Sequence, residues 1–262
     1  MNEPHENARL IYQLSRVSGE STSETWASIR NLGFSYVSLR CPTSLENEND
    51  SLQFIVNEVR CVAAHHLRAS QALVNLNGPF SPLDRPRVHL KRQIQCIIGL
   101  IDAAAESGIQ NLTIAAGPGT GERTASSFAD DRHTYLLELC HGVRYAAEMR
   151  GVRLAILAGR DGFLNSPAEA RDFVDAGNSP WVGLCLPVPE IDTLALPAQW
   201  LRTLGRRVFS LSINLGSLDS DYDLIRVTSL VRPDCLIALT CDDVNKNPAP
   251  SMLAALFDAI GV

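Results

Sequence analysis

Short apolar runs alternate along this chain with longer segments in which apolar residues recur at helical spacing. The stretch 153–190 shows the pattern most clearly, with apolar runs at 153–157 and 181–186 on either side of an amphipathic segment. Ser166 and Glu169 have the spacing of a capping box, in which the serine oxygen accepts a free backbone N–H and the glutamate reaches back to the N–H of the cap. The unit is strand–helix–strand, which predicts two parallel strands with the helix crossing over one face.

The same alternation covers the whole chain. Besides those two runs, strands are predicted at 9–14, 35–39, 69–76, 112–116, 207–213 and 235–239. Helices are predicted at 21–33, 51–66, 88–107, 131–150, 166–177, 198–204, 224–231 and 251–260. The helix at 88–107 has the strongest apolar face, and Gly108 is expected to end it.

Eight strands, each followed by a helix, predict an α/β fold consisting of a single (β/α)₈ TIM barrel over residues 9–262, preceded by a flexible tail at 1–8. A doubly wound open sheet is the competing fold. Its dinucleotide-binding form would carry a glycine fingerprint after the first strand, and residues 15–18 have none. The sequence does not decide whether 9–14 or a neighbouring segment closes the barrel.

Composition limits the function classes. Of the residues, 45% are hydrophobic, and no apolar run reaches the ~18 residues of a membrane span. The net charge of −6, without a block of Lys or Arg, argues against nucleic acid as the main partner. The first residues are polar and acidic, so no signal peptide is expected. Seven dispersed cysteines without a CxxC pair indicate reduced, mostly buried thiols in a cytoplasmic protein.

Two motifs that suggest chemistry are weak in detail. The segment GPGTGERT at 117–124 resembles a phosphate-binding P-loop, but Ala116 stands where the first glycine is needed and Glu122 where the lysine is needed. A glycine-rich turn is the simpler interpretation. Cys185 and Cys241 are candidate nucleophiles, but no histidine follows residue 141 to activate them, which leaves a partner from an earlier strand. Buried inert thiols are the expected alternative.

The histidines are predicted to lie on helices. His65 and His66 fall at the end of one helix, where solvation or pairing with the helix dipole is expected rather than metal binding. His89, His133 and His141 fall on helices outside the barrel.

Four segments resemble one known family. They are NLGFSYVSLR (31–40), AAAESGIQNLTIAAGPG (103–119), LLELCHGVRYAAEMRGVRLAIL (136–157) and GFLNSPAEARDFVDAGNSPWVGLCL (162–186). Together they are similar to xylose isomerase-like barrels, the group of sugar (phosphate) isomerases and epimerases that shares its fold with endonuclease IV. The resemblance implies a divalent metal held by carboxylates and a histidine, which polarises the sugar oxygens while carboxylates move the proton.

The positions that the resemblance assigns to metal ligands are degenerate in this chain. Leu157 occupies the position of the glutamate at the end of strand five. Pro187 occupies that of the aspartate after strand six, and Glu190 that of the histidine three residues later. Ser212 replaces the histidine of strand seven, and Thr240 replaces the last glutamate. Because Mg²⁺ and Mn²⁺ need hard oxygen ligands, we expect no metal site and no cofactor here.

A barrel places its functional residues on the loops that follow the strands. The candidate ligand-binding residues there are Arg40, Asn75, Arg160, Glu190, Asn214 and Asp242. The two arginines can bind a carboxylate or phosphate bidentately, and the two asparagines can hydrogen-bond sugar hydroxyls. No catalytic residue is assigned.

Two functional hypotheses remain. In the first, a divergent isomerase/epimerase-like barrel has lost its metal and binds a small polyol, sugar or sugar acid at its C-terminal face. In the second, the chain is an active sugar (phosphate) isomerase or epimerase, with relocated carboxylates such as Glu190, Asp242 or Asp243 holding a divalent metal, or with metal-free acid–base chemistry. A third hypothesis makes the barrel an interaction surface. The expected partner is a carbohydrate-like small molecule, without nucleic acid or membrane, and a homo-oligomer is compatible with the sequence.

Overall fold

The computed structural model describes residues 10–13, 23–41, 48–76, 86–116, 125–158, 164–188, 196–215 and 224–240. Its strands are all parallel and form a closed barrel in chain order, with the first strand pairing with the last. This confirms the predicted (β/α)₈ barrel and shows that the first predicted strand does close it. The strands are β1 Leu10–Gln13, β2 Tyr36–Arg40, β3 Arg68–Leu76, β4 Asn111–Ala116, β5 Arg153–Leu157, β6 Val182–Val188, β7 Val208–Asn214 and β8 Leu236–Thr240.

Seven α-helices are present in the described residues, each following the strand of the same number. They are α1 Ser23–Asn31, α2 Glu48–Ala64, α3 Pro86–Glu106, α4 Ala125–Arg150, α5 Pro167–Gly177, α6 Pro197–Leu204 and α7 Leu224–Ser229. The predicted tail at 1–8 and the predicted helix at 251–260 lie outside the described residues. None of the helices in the described ranges is long and apolar enough to cross a membrane.

The largest difference from the sequence prediction is the start of α4, which begins at Ala125 rather than at 131. Its first turns, ASSFAD, contain no glycine or proline, so the helix continues beyond the apolar face that defined the prediction.

Successive residues of each strand face opposite sides of the barrel wall. Leu39, Val74, Ile114 and Ile156, for example, are fully or almost fully buried in the main hydrophobic core between the strands and the surrounding helices. Their neighbours along each strand therefore face the barrel interior, where one apolar cluster consists of Leu73, Ala115, Ala155, Leu157, Cys185 and Phe209.

The predicted cap of α5 is present, with one correction. The Glu169 N–H donates to Ser166 Oγ at 3.2 Å, as a capping box requires. The Glu169 carboxylate, however, accepts from the N–H of Asn165 at 2.9 Å rather than from that of Ser166. It thereby satisfies the amide one residue before the cap. Asn178 ends the helix in the left-handed conformation, at φ 47°.

Candidate functional site

The carboxyl ends of β7, β8 and β1 form one continuous row of uncharged polar residues. Asn214 pairs with Thr240 across β7 and β8, and Thr240 pairs with Gln13 across β8 and β1. All three face inward, because their strand neighbours pack in the outer core. Gln13 is 7% exposed and Thr240 9% exposed, while Asn214 is half-buried. This end of the barrel is where enzymes of this fold bind their ligands.

Arg40 ends β2 on the same side of the barrel. It alternates with Leu39 and Cys41, which are buried in the outer core, so its side chain leaves the strand on the inner face. Arg40 as a whole residue is half-buried. Among the described residues at the carboxyl ends of the strands, Arg40 is the only charged one.

The structure therefore brings together three of the six predicted ligand-binding residues. Arg40 and Asn214 end their strands, and Asn75 is the penultimate residue of β3, so all three lie at the same end of the barrel. Arg160, Glu190 and Asp242 lie outside the described residues.

The side chains at the positions that the sequence resemblance assigns to metal ligands do not have the chemistry that a hard divalent cation requires. Leu157 is 9% exposed and belongs to the apolar interior cluster with Cys185. Pro187 pairs in register with Ser212 across β6 and β7, and Thr240 contributes a neutral hydroxyl. Within the described ranges, no group of three or more His, Cys, Asp or Glu side chains is placed to hold a metal ion.

Deeper in the barrel lie polar residues that sequence reasoning missed. Ser38, Gln71, Thr113 and Ser210 are all fully buried and face inward, and Ser38 pairs with Gln71 across β2 and β3. Their hydroxyl oxygens and both polar atoms of the Gln71 amide have no hydrogen-bond partner among the described residues. A buried polar group without a partner costs about 1–3 kcal/mol, so such groups normally contact water or a ligand.

Apolar clusters lie beside these polar residues in the barrel interior. Ala155, Leu157 and Cys185 on β5 and β6 form an apolar wall that continues to residues of β3, β4 and β7, and a separate apolar cluster contains residues of β1 and β8. A period-two alternation in the strand sequences, such as Ser210, Ser212 and Asn214 in FSLSIN, was the signal that identifies the inward-facing polar residues.

Three histidines make contacts between the elements outside the barrel. His65 Nε2 lies 3.1 Å from Ser23 Oγ of α1, and His141 Nε2 on α4 lies 2.9 Å from the Ala176 carbonyl oxygen on α5. The ring of His133 packs edge-on against Phe173, with 5.2 Å between centroids. His133 and His141 therefore lie outside the barrel, as predicted, whereas His65 lies in the turn just after α2, which ends at Ala64, rather than within the helix.

Of the two candidate nucleophiles, Cys185 is 1% exposed within the apolar interior cluster, and Cys241 lies outside the described residues. Six cysteines are described, and all are free thiols. Five of the six are buried, as the sequence predicted, and Cys61 is exposed.

Comparison with known families gives one match. The model of the xylose isomerase-like TIM barrel matches residues 26–213. No curated protein sequence matches this chain.

Solved structures with the same fold include several sugar epimerases. A 3-keto-D-glucoside 4-epimerase from E. coli is 15% identical, with a TM-score of 0.71 over 97% of this chain and 99% of that one. A D-psicose 3-epimerase, crystallised in the presence of D-fructose, is 12% identical, with a TM-score of 0.73 over 97% and 100%. The IOLI protein with a bound zinc atom is 15% identical, with a TM-score of 0.63 over 97% and 98%. At these identities the likeness concerns the fold.

Proposed function

Because the chain belongs to the xylose isomerase-like TIM barrel family, we propose that it binds a small polyol, sugar or sugar acid at the carboxyl end of the barrel. We propose that it does so without the divalent metal that the sequence resemblance implies. The observation that carries the proposal is the row formed by Asn214, Thr240 and Gln13, in which every side chain is uncharged and able to hydrogen-bond.

The lining has the two properties that a carbohydrate requires. Amide and hydroxyl groups both donate and accept hydrogen bonds, as do sugar hydroxyls, so each sugar oxygen can find a complementary group. The apolar wall around Leu157 and Cys185 matches the C–H face of a sugar ring, whose burial is favourable. Ligand pockets commonly combine an apolar wall with a few orienting polar groups.

Arg40 adds a preference among such ligands. A guanidinium can bind a carboxylate with two parallel hydrogen bonds, which are stronger than bonds between neutral groups. A sugar acid, whose carboxylate can pair with this guanidinium, therefore fits the site better than a neutral sugar of the same size.

The absence of a metal is proposed from the chemistry of the side chains. Divalent cations of the Mg²⁺ and Mn²⁺ type bind through carboxylates, carbonyls and water. Leu157 and Pro187 have no side-chain donor atom, and Ser212 and Thr240 supply only neutral hydroxyls.

The first experiment measures the metal content of protein purified without chelator, by mass spectrometry, after dialysis and again after loading with Mn²⁺, Mg²⁺ and Zn²⁺. We expect no stoichiometric metal, and we expect EDTA to leave ligand binding unchanged. Metal that is retained after dialysis, or binding that EDTA abolishes, would make the metal-free proposal wrong. Epimerase assays on ketoses, with variants of Glu190 and Asp242, would then test relocated ligands.

The second experiment measures binding of D-gluconate, D-fructose and D-psicose by calorimetry. Arg40→Gln should weaken D-gluconate binding by about tenfold or more, because a charge-assisted bond contributes about 1.5–3 kcal/mol. It should change binding of the neutral sugars much less. Asn214→Leu should weaken both classes.

Arg150→Gln is the matched control, since Arg150 pairs with Asp102 on the outer helices at 2.7 Å. If Arg150→Gln and Arg40→Gln weaken D-gluconate binding equally, the effect is one of net charge, and the assigned role of Arg40 is wrong.

A further inference from the structure

A pocket lies at the opposite end of the barrel from the proposed sugar site. It has a volume of about 450 Å³ and is lined by the first residues of β5 and β6, the start of β7 and the loops before β6 and β8. The amino end of a barrel normally contributes to stability rather than to ligand binding. A pocket of this size there therefore requires its own explanation.

The floor of this amino-end pocket is built from close contacts. The Arg153 guanidinium carbon lies 5.4 Å from the centroid of the Phe209 ring, in a cation–π arrangement. Phe209 is 6% exposed and belongs to the interior cluster, so it closes the barrel beneath the pocket. The opening above it is separated from the barrel interior by that ring.

The charged residues around the pocket are unequally matched. Four arginines and two aspartates line it: Arg153, Arg206, Arg207, Arg232, Asp175 and Asp234. Arg207 pairs bidentately with Asp175, at 2.7 Å through Nε and 2.9 Å through Nη2. The positive and negative charges of that pair cancel.

The other charged groups of the pocket do not cancel one another. Arg153 and Arg232 both donate to one oxygen of Asp234, each at 3.0 Å, so two cations share one carboxylate. Arg206 has no ion-pair partner among the described residues. The pocket therefore has a formal excess of two positive charges, supplied by groups that are still able to donate further hydrogen bonds.

We propose that the amino-end pocket binds a phosphate group, either as inorganic phosphate or as part of a small phosphate ester. A phosphate at neutral pH carries close to two negative charges, which matches the excess of the pocket, and the guanidinium fork matches its oxygens. The volume lies in the range of small-molecule pockets, about 300–1,000 Å³, so there is space for the organic part of an ester. This site is independent of the proposed sugar site.

The test is a titration of ¹⁵N-labelled protein, at low ionic strength, with inorganic phosphate, glycerol phosphate and glycerol. We expect saturable shifts of the backbone amides of Asn178 and Ser179, which line the pocket. Tighter binding of glycerol phosphate than of inorganic phosphate would identify an ester as the ligand. Equal affinities would identify the phosphate group alone, and glycerol should cause no shift.

Two pairs of substitutions separate a built site from general electrostatics. The double variant R206Q/R232Q should weaken phosphate binding by at least tenfold. The control R60Q/R150Q makes the same change of net charge at Arg60 and Arg150, two exposed residues on α2 and α4, and should leave binding within about twofold.

R206Q alone breaks no ion pair among the described residues, so it keeps the test valid if the double variant fails to fold. It should weaken phosphate binding by several-fold. The proposal is wrong if phosphate causes no saturable shifts in the native protein, or if the control pair weakens binding as much as R206Q/R232Q.

Discussion

Gly183 of β6 and Phe209 of β7 approach each other inside the barrel so closely that a Cβ on residue 183 would lie 2.7 Å from two atoms of the phenyl ring. The same Cβ would lie 2.6 Å from the carbonyl oxygen of Arg207. Position 183 therefore has no room for a side chain, and only glycine fits there. It allows the ring to turn inward and to close the amino end of the barrel.

Gly183→Ala should destabilise the protein by about 1–3 kcal/mol, the usual cost of overpacking a closed core. A backbone carbonyl is one of the two contacts, so the clash cannot be relieved by a side-chain rotation alone. The free energy of unfolding from urea denaturation measures the effect.

Gly177→Ala is the matched control. There the new Cβ would meet only Val182, at 3.8 Å, which is ordinary van der Waals contact. Gly177 ends α5, and alanine favours the helix by up to about 1 kcal/mol, so this variant should be as stable as the native protein or more stable. Equal losses in the two variants would show that the Gly183 contact is not tight.

The fold could be predicted from the sequence because its signals are local. Period-two and period-3.6 patterns gave the alternation of strands and helices, and Ser166 and Asn178 marked both ends of α5. The start of α4 was missed because nothing at residue 125 signals a boundary. Helix length there depends on the absence of a breaker rather than on an apolar face.

The sites were predicted only in part, because they depend on which distant residues the barrel brings together. Arg40 and Asn214 were found by the rule that function follows strand ends. Gln71 and Ser38 were missed, since a single buried polar residue in a strand looks like an ordinary interruption of the pattern. The arginines of the amino-end pocket come from the start of β5, the segment before β7 and the loop before β8, which only the closed barrel brings together.

Ser166→Ala should lower the free energy of unfolding by about 1 kcal/mol, because the Glu169 N–H loses its acceptor at 3.2 Å. Ser166→Asp keeps an acceptor and adds a negative charge at the start of α5, where the helix dipole favours it. The aspartate variant should therefore be close to the native protein in urea denaturation. A loss in Ser166→Asp as large as in Ser166→Ala would show that packing at residue 166, rather than capping, sets the stability.

Asp175 gives a prediction about pH. The hydrogen bonds from Arg207 hold the pKa of this carboxyl below its ordinary value, and the charges of Arg207, Arg171 and Arg206 act in the same direction. A depressed folded-state pKa stabilises the protein above the unfolded-state value, near 4, and this contribution is lost as the pH falls through the folded-state pKa.

The ¹³C carboxyl shift of Asp175 should therefore titrate below the ordinary range in the native protein and move back toward it in Arg207→Gln. The stability difference between the two proteins should be largest near neutral pH and shrink below about pH 4. Arg150→Gln, which removes a guanidinium that pairs with Asp102, should leave the Asp175 titration unchanged. A normal Asp175 titration in the native protein would contradict the bidentate pair.

Thiol reactivity should separate Cys61 from the buried cysteines. Burial raises the pKa of Cys140 to about 12, and burial together with the charge of Glu58 raises that of Cys41 to about 12. Because the thiolate is the reactive form, neither should react with Ellman's reagent at pH 8 in the native state. Cys61 is exposed on α2 and should react rapidly.

Cys61→Ser should therefore remove one equivalent of the fast phase, while a Cys140→Ser variant should keep it. All seven cysteines of the native chain should react in denaturant, and a fast phase that survives unchanged in Cys61→Ser would overturn this assignment.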